Sequence, residues 1–235
     1  MKFFAHALSS VALATSAAAA PACHPPTDLA PAPAYDPPPG EAVRGVTLAY
    51  YLLAITWTPE WRRMNGKTPA FTPELDPEPH PQGFALHGLW PNGAGPPYPR
   101  YCRPVGPIPA PVVRDMYCRT PSAKLLQHEW EAHGSCAWDD PAAYFRQAAR
   151  LYDHVRLPRI EDRAGLSAGE LRAAFVARNP WLRREAVFVA ADKAGMLSEV
   201  RLCFDLAYKV AACPGGTGAP DGQALTLTPS TGRRF

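Results

Sequence analysis

Apolar residues along this chain come in runs whose length and spacing separate strands from helices. Val46 to Trp57, VTLAYYLLAITW, is one continuous aromatic and branched run, and its length suits a buried central strand. Phe84 to Trp90 is a second, shorter strand. The stretches Thr58 to Gln82 and Gly93 to Pro111, dense in Pro, Gly and polar residues, read as long loops, and loops of that length in a compact domain are usually functional or stapled. Helical spacing then takes over. Thr120 suits an N-cap, Pro121 a first helical position and Gly134 a C-terminal cap, which predicts a helix over Pro121 to His133. On it Leu126 and Trp130 share a core face, while Glu129 and His133 share another that is free to work. Asp140-Pro141 opens a further helix in which Tyr144, Phe145, Ala148, Leu151, Tyr152 and Val155 recur at helical spacing. Ser167-Ala-Gly-Glu170 forms a capping box before Leu171, Phe175 and Val176, and Asn179-Pro180 ends that helix. Ala186 to Ala191 and Glu199 to Asp205 read as a hairpin around Asp192-Lys-Ala-Gly195, with Leu225 to Thr228 as a final edge strand.

Composition places these elements in an exported protein. Lys2 followed by the apolar, alanine-rich Val11 to Ala20 reads as a secretory signal over residues 1–20; the run is too short for a membrane span, and Pro21 follows it. Residues 21–40 are dense in proline and alanine and are expected to form a stiff, solvated leader, because they offer few large apolar groups to offset ordering. Residues 41–235 are expected to form a single domain. The six cysteines, Cys23, Cys102, Cys118, Cys136, Cys203 and Cys213, read as three bridges with fifteen pairings open. Cys203 with Cys213 is the easiest pair, since the chain turns back between them. A formal charge of +3 with scattered arginines argues against a general polyanion-binding surface and for a substrate held at a local site.

Candidate chemistry is concentrated in two segments, Phe84-Ala-Leu-His87-Gly-Leu-Trp90-Pro91 and His128-Glu129-Trp-Glu-Ala-His133-Gly-Ser-Cys136. Imidazole serves as base in one step and acid in the next near neutral pH, so two of them flanking one phosphate can break a phosphodiester without metal. His24, His80 and His154 carry no such context and are expected to be ordinary hydrogen-bonded residues. His128-Glu129 also begins a zinc-protease signature, but its second histidine stands five residues on instead of four. That places the two rings about 140° apart around a helix, unsuited to one ion.

The two segments resemble the paired active-site motifs of the ribonuclease T2 family, secreted, metal-independent endoribonucleases. The likeness extends through Trp57-Thr-Pro-Glu-Trp61, the helix after Asp140 and Glu199-Val-Arg-Leu-Cys203, and leaves the leader outside. It implies an α+β fold, a central antiparallel sheet with helices packed on it, stabilised by disulfides. It implies cleavage of single-stranded RNA, with little base specificity, by attack of the ribose 2′-hydroxyl on phosphorus to leave a 2′,3′-cyclic phosphate. DNA lacks that nucleophile. Position by position, the resemblance makes His133 the general base, His87 the general acid, and His128 and Glu129 the groups that bind phosphate and support the pentacoordinate species. Trp90, Asn92 and Tyr98 match a base pocket, and Trp130 is assigned to the core. Cys136 would pair with Cys102, leaving Cys118 for Cys23. One departure stands out: the family usually has lysine where this chain has Ala132. Without that cation the chain would be slower unless an arginine from elsewhere in the fold fills the vacancy, and a catalytically weak or inactive RNA-binding protein is the alternative. The expected partner is RNA, without DNA, metal, other cofactor or membrane span; the protein is expected to be a monomer, secreted or periplasmic.

Overall fold

The computed structural model describes residues 23–37, 39–65, 83–160 and 163–229. The segment read as a secretory signal lies outside them, as do His80 and much of the loop expected before Phe84. At its centre is a four-stranded antiparallel sheet of β1 (Leu48–Trp57), β2 (Phe84–Gly93), β3 (Val187–Ala191) and β4 (Leu197–Phe204), in the order β2-β1-β4-β3. The long apolar run of β1 is central because both its edges are paired. Its alternation sends Tyr51, Leu53, Ile55 and Trp57 into the main core, where they are all buried. Helices α1 (Thr58–Asn65), α2 (Ala110–Met116), α3 (Ala123–Ala132), α4 (Pro141–His154) and α5 (Ala168–Arg178) accompany the sheet. Leu126 and Trp130 from α3, Tyr144, Phe145 and Ala148 from α4, and Leu171 and Phe175 from α5 belong to that core.

Several sequence expectations are corrected. The stretch after Trp57 begins as helix α1, whose Glu60 is buried and paired with Arg63 at 2.6 Å. Helix α2 was not expected at the end of the Gly93 to Pro111 loop; it has proline in its first turn, a position where the missing N–H costs nothing. Helix α3 starts two residues later than read, with Ser122 as the cap accepting from Leu125 N–H. Thr120 cannot fill that role because its hydroxyl donates to the Leu86 carbonyl at 2.8 Å and so ties the helix entry to β2. The Asp140 cap and the Ser167/Glu170 capping box stand as read. Leu225 to Thr228 makes one isolated bridge, Met196 with Thr226, instead of a strand.

Three disulfides, Cys23–Cys118, Cys102–Cys136 and Cys203–Cys213, close the molecule. The first overturns the expectation of a solvated leader. Residues 23–37 lie against the domain: Ala32 is buried, and Arg114 donates to the carbonyls of Pro26 and Thr27. A covalent anchor removes much of the entropy that composition alone would leave to this segment.

Candidate active site

Opposite the core side of β1 lies the second face of the sheet. Across it the register sets Leu52 beside Trp90, Tyr50 beside Asn92, Thr56 beside Glu199 and Ala54 beside Arg201, with Phe188 next to Arg201. Of these, Tyr50, Leu52, Trp90, Asn92, Phe188 and Arg201 floor a cleft of about 550 Å³, walled by Tyr98, Arg100, His128, Glu129 and His133. His87 enters it through a β-bulge. Leu86 opposes Ile55 and Gly88 opposes Ala54, so His87 is the extra residue between them. A bulge re-aims a side chain in this way.

The catalytic candidates from the two motifs meet here. His87 and Trp90 pack edge-on with ring centroids 5.1 Å apart, Trp90 and His133 stack at 5.0 Å, and His128 and His133 stand 6.4 Å apart at 88°. Glu129, fully buried, lies over Gly88, where a Cβ would collide with its carboxylate. Trp90 Nε1–H donates to Glu129 Oε2 at 2.7 Å, and Oε1 lies 3.3 Å from His87 Nε2 and 3.9 Å from His128 Nε2. The carboxylate therefore sits among all three imidazoles. Asn92 is buried and donates to the Trp90 carbonyl at 3.1 Å, whereas Tyr98 is half exposed at the rim. Trp130 lies in the core, away from the cleft lining.

Electrostatics divides the histidines. Burial alone would lower the His87 pKa, but Glu129, together with Glu199 hydrogen-bonded to Nδ1 at 2.6 Å, raises it to about 10. Burial lowers His133 to about 4; the Glu129 charge opposes this, and the nearby His128, His87 and Arg100 side chains reinforce it. Burial would raise Glu129, yet the facing histidines hold it down to about 2. Near neutral pH the site thus holds a protonated His87, a neutral His133 and an ionised Glu129. Environments that push two titratable groups apart in this manner are what acid–base catalysis requires. Among the described residues no group of three or more His, Cys, Asp and Glu side chains is arranged to hold a metal ion.

Sequence reasoning missed Glu199, Arg201, Thr56, Arg100, Tyr101 and Tyr35. Glu199 also accepts from Arg201 Nε–H at 2.6 Å, and the Arg201 guanidinium lies 5.0 Å from the centre of the Trp90 ring. Two charges spaced by two in an otherwise apolar strand were the available signal, since that period puts both on one face. The Tyr35 hydroxyl hydrogen-bonds His128 Nδ1, with the Tyr101 hydroxyl 3.5 Å from the same nitrogen.

Comparison with known proteins agrees with this construction. A probable ribonuclease of Haemophilus influenzae is 29% identical over 174 residues, covering 70% of this chain and 60% of that protein's own length. An RNase-related protein from Calystegia sepium has the same fold at a TM-score of 0.58 and 17% identity, with 78% of this chain and 98% of that one covered. RNase NT, solved in complex with 5′-AMP, gives 0.56 at 20% identity over 78% and 99% of the two chains. The profile of the ribonuclease T2 family matches residues 48–213, most of the chain and both histidine segments, so the chain belongs to that family.

Proposed function

We propose that the protein is an exported endoribonuclease that cleaves single-stranded RNA without metal, leaving 2′,3′-cyclic phosphate ends. The observation that carries this reading is the convergence of His87, His128, Glu129 and His133 on one cleft, where carboxylates hold His87 above the usual histidine range and burial holds His133 below it. Neutral His133 accepts the proton of the ribose 2′-hydroxyl as its oxygen attacks phosphorus. Protonated His87 delivers a proton to the departing 5′-oxygen. Each transfer contributes roughly 10²- to 10⁴-fold in rate. His128 donates to a phosphate oxygen, and Glu129 holds His87 charged while fixing the Trp90 ring. Trp90, Asn92 and Tyr98 receive a base by stacking and edge contact, which tolerates every base at about 1–3 kcal/mol each. His87 also borders a smaller apolar hollow beside Thr56, Trp61 and Leu125, which suits the leaving nucleotide. That RNase NT binds 5′-AMP supports a nucleotide in such a cleft.

The reading of a weak or inactive RNA binder rests on Ala132, which is fully buried, its carbonyl accepting from Tyr101 N–H at 3.0 Å. Arg100 argues against it. It lines the cleft and its charge acts on His133, while its guanidinium is held from outside by Glu41, with Nη2 3.2 Å from that carboxylate. A cation aimed at developing phosphoryl charge is worth on the order of 10²- to 10³-fold, and Arg100 supplies it where lysine is missing.

The test is incubation of the purified protein with RNA in excess EDTA. Cleavage is expected, with His133→Ala and His87→Ala each lowering kcat/KM by about 10²-fold or more and Arg100→Ala by a comparable factor. Absence of cleavage by the natural chain would favour the binding protein, and loss of cleavage in EDTA that added metal restores would overturn the mechanism.

A further inference from the structure

The segment before residue 41 reaches the proposed site, although the family match begins only at residue 48. Its path is fixed at both ends. Cys23 is bonded to Cys118, and Arg114 donates to the Pro26 and Thr27 carbonyls. Farther along, Tyr35 N–H donates at 3.0 Å to Glu131 Oε1, which Gln127 Nε2–H holds from the other side at 2.7 Å. Helix α3 therefore carries both the anchor for the Tyr35 backbone and His128, one turn apart. The Tyr35 ring runs parallel to the His128 ring, 1° between planes and 6.3 Å between centroids, and its hydroxyl bonds Nδ1. Yet Tyr35 as a residue is 44% exposed, so core packing does not explain why it stands there.

We propose that residues 23–37 form a covalently anchored strap whose Tyr35 is a positioning residue: its hydroxyl occupies His128 Nδ1 so that Nε2 bears the N–H turned toward a bound phosphate. The argument holds for either charge state of the ring. In a neutral imidazole, Tyr35 donates to Nδ1 and the single proton must reside on Nε2. In an imidazolium, Nδ1–H donates to the Tyr35 oxygen and Nε2 is again a donor. The Tyr35 phenol keeps its proton throughout the working range, because burial, then Tyr101, Glu131 and Glu129, raise its pKa far above the ordinary value. Tyr101, at 3.5 Å, is the weaker partner of the same atom and meets the ring edge-on. Tyr35 does not line the cleft itself, so the strap orients without blocking.

The proposal rests on the reading of His128 as a phosphate donor, and a double-mutant cycle on the full exported chain separates the two. Tyr35→Phe keeps the ring and removes the hydroxyl; it is expected to lower kcat/KM on an RNA dinucleotide about 5- to 10-fold, the scale of one such hydrogen bond. In a His128→Ala background the same change is expected to cost nothing further. ¹⁵N spectra of His128 should show the Nε2–H form in the natural protein and a mixture of tautomers in Tyr35→Phe, whether or not stability changes. An equal penalty from Tyr35→Phe with and without His128, or unchanged activity and spectra, would overturn the strap's role alone. A His128→Ala variant as active as the natural chain would overturn the reading of His128, and the strap's role with it.

Discussion

The two histidines assigned to proton transfer differ only in what surrounds them. Beside His87 two buried carboxylates outweigh desolvation; beside His133 desolvation and the nearby His128, His87 and Arg100 side chains outweigh the one carboxylate. The proposed mechanism needs His133 neutral, so activity should fall as pH drops through its pKa, and needs His87 protonated, so activity should fall as pH rises through its own. For the free enzyme, kcat/KM is expected to be flat between limbs near 4 and near 10. Glu129 raises the pKa of both rings. Glu129→Gln is therefore expected to move both limbs toward lower pH, and an alkaline limb left in place or moved upward would contradict the assignment. At this scale the sequence was informative about the histidines and Glu129, because short motifs carried them. It marked Glu199 only as one of two charges spaced by two in a strand, because the partner that gives it weight, His87, lies on a strand distant in sequence. It was silent on Tyr35, an isolated aromatic residue among prolines and alanines.

Elements place these residues. Strand β2 delivers His87 at a bulge, and the last turn of α3 with the tight turn at Gly134–Cys136 delivers Glu129 and His133. The Cys102–Cys136 bond ties that turn to the Arg100–Tyr101 segment, and Ser135 reinforces it by accepting from Cys102 N–H at 3.2 Å. Tyr101 is held there at φ 48, a backbone region unfavourable for a residue with a side chain. Removing the bond frees a loop of 34 residues in the unfolded chain, a loss of about 3–4 kcal/mol. A Cys102→Ala, Cys136→Ala protein is expected to melt roughly 7–14 °C lower by calorimetry and to lose activity at temperatures where it is still folded. An unchanged melting temperature would contradict the role given to this bond. The periodic helices and the hairpin were legible from spacing and caps. Helices α1 and α2 were not, since each is short and sits among prolines that also mark loops. The edge strand at Leu225 to Thr228 fails because partial pairing with Gly195 and Leu197 never becomes a ladder.

For the whole molecule, a single sheet divides labour between its faces, one packed into the core and the other left as the floor of the cleft. Arg172, fully buried, secures the C-terminal segment to that sheet: its guanidinium donates to the carbonyls of Val187, Thr217 and Ala219 and pairs with Asp221. The α+β class and the antiparallel sheet were implied by family likeness, with which the patterned strands and helices were compatible, whereas the docking of residues 23–37 was not foreseen, because a disulfide and a few polar contacts do what composition could not signal. With a formal charge of only +3, the proposed recognition of RNA rests on the cleft rather than on a general basic surface. The central claim is that the substrate's own 2′-hydroxyl is the nucleophile. It is tested most directly with a DNA oligonucleotide containing one internal ribonucleotide, incubated in EDTA and resolved by mass spectrometry. A single cut on the 3′ side of that ribose, with a cyclic phosphate on the released end, is the predicted result. Cuts at deoxynucleotide linkages, or products carrying only linear phosphate from the first time point, would contradict it.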